Sequence, residues 1–398
     1  MKSQLLDLRL KKKKIAFLIN SFGLGGAENV VSQILNQTKK QNEFEFELIL
    51  LENEIFYPLP KGIKVTTLSS LTWEDSAIKR TLYIPLLSYR LKKYIKKSNI
   101  DFVLSFIYRS DFVNVIASQF SNYKFALSNR VSASSTYADS SLSSKINNFL
   151  IKTLYPKAPL IINVSDGVQN DLALNYDISR SRQRVIYNPF DIKKIERLAN
   201  ENIDINTKRD KTIVVASRLD PIKNIPMILY AFSKIKEKMK LIIIGNGQDE
   251  GELKELAKRL NINQKVHFAG LQTNPYKYMK NASIYISSSN SEGFPNALVE
   301  AMICKCSVIS TDCKSGPREI LAPSTDFSCE LKKGMEIAKN GILVATNDEK
   351  ALKQAIEFLQ QNPKRKELIA QSGYERAKDF NLESVTKTYI ETINRELA

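Results

Sequence analysis

The stretch Ser291-Glu292-Gly293-Phe294-Pro295-Asn296-Ala297-Leu298-Val299-Glu300-Ala301-Met302 decides how this chain is read. The apolar run 282–288 before it reads as a strand, so the stretch is a loop turning into a helix. Pro295 suits a first helical position, where a missing N–H costs little and φ is already near its helical value. The amides after it point out of the helix N-terminus, and such an end attracts anions through its N–H groups and dipole. Glu292 lies in the loop. Glu300 lies more than a turn inside the helix, roughly 7 Å along its axis at about 1.5 Å per residue. An anion at the tip leaves the two carboxylates facing different sides of a ligand. A diphosphate with a hydroxyl-rich group at each end, a nucleotide-sugar, fits that arrangement. Spacing alone also admits a loop charge and a solvated helix residue.

The whole string resembles the E-x7-E segment of the retaining glycosyltransferases of family 4 (group 1), including the intervening Gly-Phe-Pro-Asn-Ala and the Glu-Ala-Met ending. The resemblance implies an α/β chain of GT-B fold, two Rossmann-like doubly wound domains facing across a cleft. The expected limits are 12–190 for an acceptor-side domain, 191–210 for a linker and 211–378 for a nucleotide-sugar domain. A helix over 379–398 is expected to cross back to the first domain.

The rest of the chain agrees with an α/β reading. Strand-like runs at 15–20, 46–51, 65–68, 102–107, 125–127 and 160–164 alternate with helical patterns, which argues a parallel sheet covered on both faces. After the first run comes Ser21-Phe22-Gly23-Leu24-Gly25-Gly26-Ala27-Glu28 and a helix, a mononucleotide-binding start. The spacing is not GxGxxG and no acidic residue closes a second strand in the required context, so a dinucleotide dehydrogenase is disfavoured. A tight turn explains these glycines equally well. The turn resembles the family's Gly-Gly-Ala-Glu opening, which places Gly25 and Gly26 at the donor diphosphate. Arg184-Val185-Ile186-Tyr187-Asn188-Pro189 resembles the family's domain junction and puts Asn188 on the donor side.

A second series begins with the strand-like run 212–217, followed by Arg218-Leu219-Asp220-Pro221-Ile222-Lys223-Asn224. Ligands of open α/β sheets sit at this carboxyl edge. Arg offers a planar fork to phosphate oxygens and Lys a point charge. On spacing alone two solvated cations remain open. The string resembles the family's Arg-Leu-…-Lys-Asn segment, in which both cations neutralise the departing diphosphate. Further strands are expected at 241–244, 266–269, 308–311 and 342–344, with turns at Gly245-Asn246-Gly247, Gly270-Leu271-Gln272 and Ser315-Gly316-Pro317-Arg318-Glu319. The resemblance implies that the Leu271 loop caps the base.

The chain has 398 residues, and 59 basic against 42 acidic side chains give a net charge of +17. That length suits two domains. The excess charge points to nucleic acid, an anionic membrane surface or phosphorylated substrates. Cys304, Cys306, Cys313 and Cys329 form no CxxC pair and His267 is the only histidine, so a zinc site is not indicated and reduced cytosolic thiols are the plain reading. The lysines at 11–14 precede an apolar run too short for a signal or a membrane span. A helical pattern over 81–97 places Leu87, Leu91, Tyr94 and Ile95 on one face and Arg90, Lys92, Lys93, Lys96 and Lys97 around the rest. It is either a core-packed helix with a solvated basic face or a surface that meets anionic lipid. The family's acceptor-side histidine has no counterpart in Leu127-Ser128-Asn129-Arg130-Val131-Ser132, which leaves Asn129 or Arg130 to contact acceptor or phosphate.

The expected activity is metal-independent, without a cofactor. Arg218, Lys223 and the amides after Phe294 hold the leaving diphosphate, with Phe294, Pro295, Asn296 and Ala297 as donor-binding residues; no Asp-x-Asp supports a bridging metal. Glu300 binds ribose and Glu292 binds hydroxyls of the donated hexose or N-acetylhexosamine, with retention of configuration. The expected donor is a UDP-sugar and the acceptor a lipid-linked saccharide or lipopolysaccharide or capsule precursor. The expected place is the cytoplasm, peripheral on the inner face of the cytoplasmic membrane. The competing classes are a non-enzymatic nucleic-acid binder and a Rossmann nucleotide-sugar-modifying enzyme. Basic residues spread over both halves and no nucleic-acid module, so nucleic acid is not expected as a partner.

Overall fold

The computed structural model describes residues 12–23, 25–38, 43–56, 62–203, 205 and 207–398. Lys11, Leu24, Asp204 and Asn206, named above or within the expected linker, lie outside the described residues. The chain forms two compact units. Unit 1 takes the chain up to Val164, then Gln169–Pro189 and Leu382–Ala398, and unit 2 takes Ser165–Val168 and Phe190–Asn381.

Unit 1 holds strands β1 (Lys13–Ile19), β2 (Phe44–Leu50), β3 (Lys64–Thr67), β4 (Phe102–Phe106), β5 (Lys124–Asn129), β6 (Ile161–Asn163) and β7 (Gln183–Val185). They pair in the order β3-β2-β1-β4-β5-β6-β7, all parallel. Its helices are α1 (Gly26–Thr38), α2 (Ala77–Leu82), α3 (Ile84–Ser98), α4 (Tyr108–Ser118), α5 (Ala133–Thr136), α6 (Leu142–Leu154) and α7 (Asp166–Tyr176), whose first residues cluster with unit 2. Alternation of side chains along β1 shows why the strands read as continuous apolar runs. Ala16 and Leu18 enter a core that includes α3, α4 and α6, while Ile15, Phe17 and Ile19 enter one that includes α1.

Unit 2 holds β8 (Thr212–Ala216), β9 (Lys240–Ile244), β10 (Val266–Gly270), β11 (Ile284–Ser287), β12 (Ser307–Thr311), β13 (Met335–Ile337) and β14 (Ile342–Val344). The order is β10-β9-β8-β11-β12-β14-β13, parallel except for β13, which runs antiparallel to β14. The helices are α8 (Ile192–Ala199), α9 (Ile225–Ser233), α10 (Glu250–Arg259), α11 (Tyr276–Lys280), α12 (Asn296–Ile303), α13 (Pro317–Leu321), α14 (Glu349–Gln361) and α15 (Pro363–Ala377). Helix α16 (Leu382–Leu397) returns to unit 1, where Val385, Tyr389, Ile390 and Ile393 join the core on the α1 face.

Three local readings change. The expected linker 191–210 carries α8, which Asp191 caps through Lys194 N–H at 3.0 Å, and it belongs to unit 2. The helix expected over 81–97 is two helices, because Pro85 cannot donate to a preceding turn and instead sits in the first turn of α3. Leu87, Leu91 and Ile95 face the core as the pattern requires. The short edge strand β13, three residues long, carries no apolar run that could announce it.

Candidate functional site

In both sheets the strand order reverses beside the first strand, between β1 and β4 in unit 1 and between β8 and β11 in unit 2. Loops that leave the carboxyl ends of such a pair diverge and open a crevice, the usual ligand position in open α/β sheets. In unit 2 the two loops are those carrying Arg218 and Lys223 on one side and Glu292 on the other. Ser288 Oγ donates to the Lys223 carbonyl at 2.6 Å and Asn290 N–H to the Ile222 carbonyl at 2.8 Å. The Lys223 ammonium then meets the Glu292 carboxylate at 2.6 Å, with both side chains largely buried, and Ser289 Oγ donates to the same carboxylate oxygen at 2.6 Å. The structure therefore brings Lys223 and Glu292 into direct contact. Arg218 stands apart from both acids: its side chain is 74% exposed and pairs with Asp220 at 3.1 Å. One residue earlier, Ser217 Oγ is buried and has no hydrogen-bond partner among the described residues.

The helix start differs by one residue from the expectation. Pro295 is the N-cap with ψ 89°, and α12 opens at Asn296. A proline whose ψ is extended lies outside the helix, so the rise from the first helical residue to Glu300 is about 6 Å. The tip is held from two sides. Phe294 is buried in an edge-to-face contact with Phe380, ring centroids 5.3 Å apart, so its side chain anchors the loop and only its backbone can face a ligand. Gly316 packs under Pro295 with φ +92°, and a Cβ there would lie 2.6 Å from Pro295 Cδ. Ser165 Oγ donates to the Gly293 carbonyl at 2.8 Å. Asn296 and Ala297 occupy the first turn, at the positive end of α12.

Glu300 faces α11, where Tyr276 Oη donates to it at 3.2 Å. Burial pushes its carboxyl up to about 7, and the tyrosine bond lowers it only in part. Leu271 is 55% exposed just past Gly270, which has φ +66°. Sequence reasoning does not single out Tyr276 or Ser289, because neither carries a pattern apart from the acid it serves. Glu319 reads in the sequence only as part of a turn. It accepts from the amides of Asp166, Gly167 and Gly316 at 2.7, 2.9 and 3.2 Å, and burial pushes its carboxyl up to about 6.

In unit 1, Gly26 opens α1, and a Cβ on Gly25 would lie 2.0 Å from Glu28 Oε2, the end of a flexible side chain that a methyl group would displace. Burial raises the Glu28 carboxyl. The acid after the second strand that the sequence reading does not place is Glu52, buried and bonded to Arg109 at 2.5 Å. Asn188 and Arg130 are both buried, and the Arg130 guanidinium donates to Asn188 Oδ1 and, at 3.0 Å, to Tyr389 Oη. Asn129 is buried beside Asn163 at 3.5 Å. These residues brace unit 1 internally. Cys304, Cys306 and Cys313 are buried free thiols and Cys329 is an exposed one. Among the described residues no helix is long and apolar enough to cross a membrane.

Comparison with known proteins gives matches over both units. Residues 24–194 match the model of Glycosyltransferase Family 4, and residues 199–376 that of Glycosyl transferases group 1. An N-acetylgalactosamine-N,N'-diacetylbacillosaminyl-diphospho-undecaprenol 4-alpha-N-acetylgalactosaminyltransferase of Campylobacter jejuni is 32% identical over 370 residues, 93% of this chain and 96% of that protein. A lipopolysaccharide 1,6-galactosyltransferase of Salmonella typhimurium is 25% identical over 323 residues, 78% of this chain and 83% of its own. HepE of Anabaena, solved in complex with UDP, superposes with a TM-score of 0.75 at 20% identity, covering 96% of this chain and all of that one.

Proposed function

Since the chain belongs to the family 4, group 1 glycosyltransferases and has their GT-B fold, we propose that the loops at the strand reversal of unit 2 grip the diphosphate of a UDP-sugar. The observation that carries this reading is the Lys223–Glu292 contact at 2.6 Å, which fixes a cation at the point where the loop of Arg218 meets the loop that leads into α12. Arg218, exposed and paired with Asp220, exchanges that contact for phosphate oxygens when its fork swings onto the diphosphate. Lys223 and the first-turn amides of α12 supply fixed positive charge. Glu300 accepts from ribose hydroxyls, and Glu292 accepts from hydroxyls of the donated sugar while holding Lys223 in place. No cofactor or metal is assigned a role.

The reaction follows from these parts. The bond from the anomeric carbon to the diphosphate oxygen breaks and the electron pair leaves with the diphosphate. Charge builds on the leaving oxygen, and donors that are already in place stabilise it more than they stabilise the ground state. The acceptor oxygen bonds to the anomeric carbon from the same face, and its proton passes to the departing phosphate, which retains the anomeric configuration. Names of relatives that act on diphospho-undecaprenol and lipopolysaccharide support a lipid-linked or lipopolysaccharide-type acceptor and a hexose or N-acetylhexosamine donor. The basic face of α3 supports action at an anionic membrane surface, on its cytoplasmic side.

The test is a thermal-shift panel of UDP-, GDP- and ADP-sugars, followed by transfer to a lipid diphosphate-linked saccharide and assignment of the product anomer. Stabilisation by UDP-sugars with an unchanged anomer, insensitive to EDTA, is expected. Preference for another base, an inverted product or loss of activity on chelation would each overturn the corresponding part.

A further inference from the structure

Helix α2 buries no side chain, yet it carries Ile78 and Leu82, 71% and 73% exposed. On α3 the outward positions include Leu86 and Tyr89, both exposed. On α6 the inward residues are Ser144, Ile151 and Leu154, and the outward row is Leu142, Ile146 and Phe149, at i, i+4 and i+7. That spacing is an apolar stripe turned to solvent rather than to the core. Leu142 is 71% exposed and Phe149 65%. Scattered exposed apolar residues are ordinary, but a row on one helix backed by a second helix pair is not.

These helices share one layer. The inward residues of α3, α4 and α6 enter a single core under one face of the unit 1 sheet. Phe120, just past α4, lies 5.7 Å under the Lys92 ammonium of α3 and is itself exposed. The outward sides of α3 and α6 therefore point away from the same sheet face. Their charge is one-sided. Residues 77–98 and 142–154 contain no Asp or Glu; Lys79 pairs with Asp75 just before α2, while Arg90, Lys93, Lys97, Lys145 and Lys152 stand exposed among the apolar residues.

We propose that this face of unit 1 docks on an anionic bilayer, with Leu142, Ile146 and Phe149 of α6 inserted at the headgroup boundary and the flanking cations on anionic headgroups. An apolar stripe flanked by lysines is the pattern of a helix that lies in the interface. A second copy of the chain fits less well, because a two-fold contact would set the same unbalanced cations against each other. Two signals, insertion and charge, hold a protein to a membrane where one gives only reversible contact. The inference deepens the reading of a membrane-bound acceptor, and its deciding readout, vesicle binding, needs neither donor nor acceptor.

The full chain is sedimented with phosphatidylcholine vesicles, with and without phosphatidylglycerol. Binding is expected only with phosphatidylglycerol. The L142S/I146S/F149S variant is expected to lose on the order of a hundredfold in vesicle affinity, with its melting temperature and lipid-free hydrolysis of UDP-sugar unchanged. Lys145→Glu is expected to lose at least about fivefold, the effect of one cation near such a surface. In a W73F background, which removes the single native tryptophan, F149W should emit at shorter wavelength once anionic vesicles are added. Equal binding of wild type and triple variant, no wild-type binding, an unshifted F149W emission, or self-association that the triple variant abolishes would each overturn the proposal. UDP-sugar hydrolysis without vesicle binding would sink this inference alone. Vesicle binding without any transferase activity would sink the donor reading and leave this one standing.

Discussion

The Lys223 ammonium lies 2.6 Å from the Glu292 carboxylate, so the cation assigned to the diphosphate and the acid assigned to the sugar form one ion pair. A carboxylate in that position weakens the hold of Lys223 on a second anion while keeping it aimed. The two substitutions should therefore differ in kind. Lys223→Ala should lose at least about tenfold in UDP affinity and about 10²–10³ in turnover. Glu292→Gln should bind UDP as tightly as wild type or several-fold more tightly, yet lose turnover by a comparable factor. Calorimetric titration with UDP beside transfer assays separates the cases, and parallel losses of UDP affinity in both variants would refute the split.

Glu300 gives a pH dependence with a defined sign. Burial holds its carboxyl near 7, above the ordinary glutamate value of 4.5. Ribose hydroxyls donate best to the ionised form, so binding must remove a proton whenever the pH lies below about 7. Affinity for a UDP-sugar, whose diphosphate does not titrate in this range, should weaken toward tenfold per pH unit as pH falls below that value and level off above it. Glu300→Gln should bind weakly at every pH with a flat profile. Tyr276→Phe removes the bond that lowers the carboxyl and should move the midpoint upward. A wild-type profile as flat as that of the glutamine variant would remove Glu300 from the ribose.

Much of this is legible in the sequence because the informative residues lie in continuous strings. The loop from Ser291 to Pro295, the turn from Arg218 to Asn224 and the apolar strands each carry their signal locally. Period-two alternation is invisible in β1 because both faces are buried, and the unbroken run is the correct sign of that. What escapes the sequence depends on pairs distant in the chain. Lys223 and Glu292 are separated by 69 positions, and only the strand reversal places them together. Glu319 reads as a turn acid until Asp166 and Gly167 arrive from far upstream. The break at Tyr83 is legible from Pro85, and the pattern of Leu87, Leu91 and Ile95 obscures it.

Gly316 tests whether the motif loop must be held from beneath. Its φ of +92° is a conformation that side chains rarely adopt, and an added Cβ would press on Pro295 and the Gly293 carbonyl. Gly316→Ala should cost about 1–3 kcal/mol of stability. Because the displaced atoms belong to the loop leading into α12, UDP affinity should fall as well. A methyl group on Gly251, in the first turn of α10, would meet nothing within 4 Å, and its φ is not positive, so Gly251→Ala is the control and should leave UDP affinity unchanged while raising stability by about 0.4–1 kcal/mol. Denaturant unfolding and UDP titration of both variants provide the comparison, and a Gly316→Ala protein with wild-type UDP affinity would free the loop from this constraint.

Glu319 sets the last expectation, in stability rather than catalysis. Its carboxylate accepts from three backbone amides, two of them at the start of α7, yet burial outweighs those bonds and leaves the carboxyl at about 6. A folded-state value above the unfolded one means that the folded chain binds more protons between about 4.5 and 6. The associated stability is fully present below that window and is lost as pH rises through it, by about 2 kcal/mol for a shift of this size. Glu300 acts in the same direction and extends the slope to about 7. The double variant Glu300→Gln with Glu319→Gln should flatten the decline between pH 4.5 and 7, a window the two cited carboxyls define. Glu319→Ala, which leaves the amides of Asp166 and Gly167 without their acceptor, should in addition lose about 1–3 kcal/mol at every pH. Urea unfolding across the series reads both effects, and an undiminished slope in the double glutamine variant would mean that other groups carry the proton uptake.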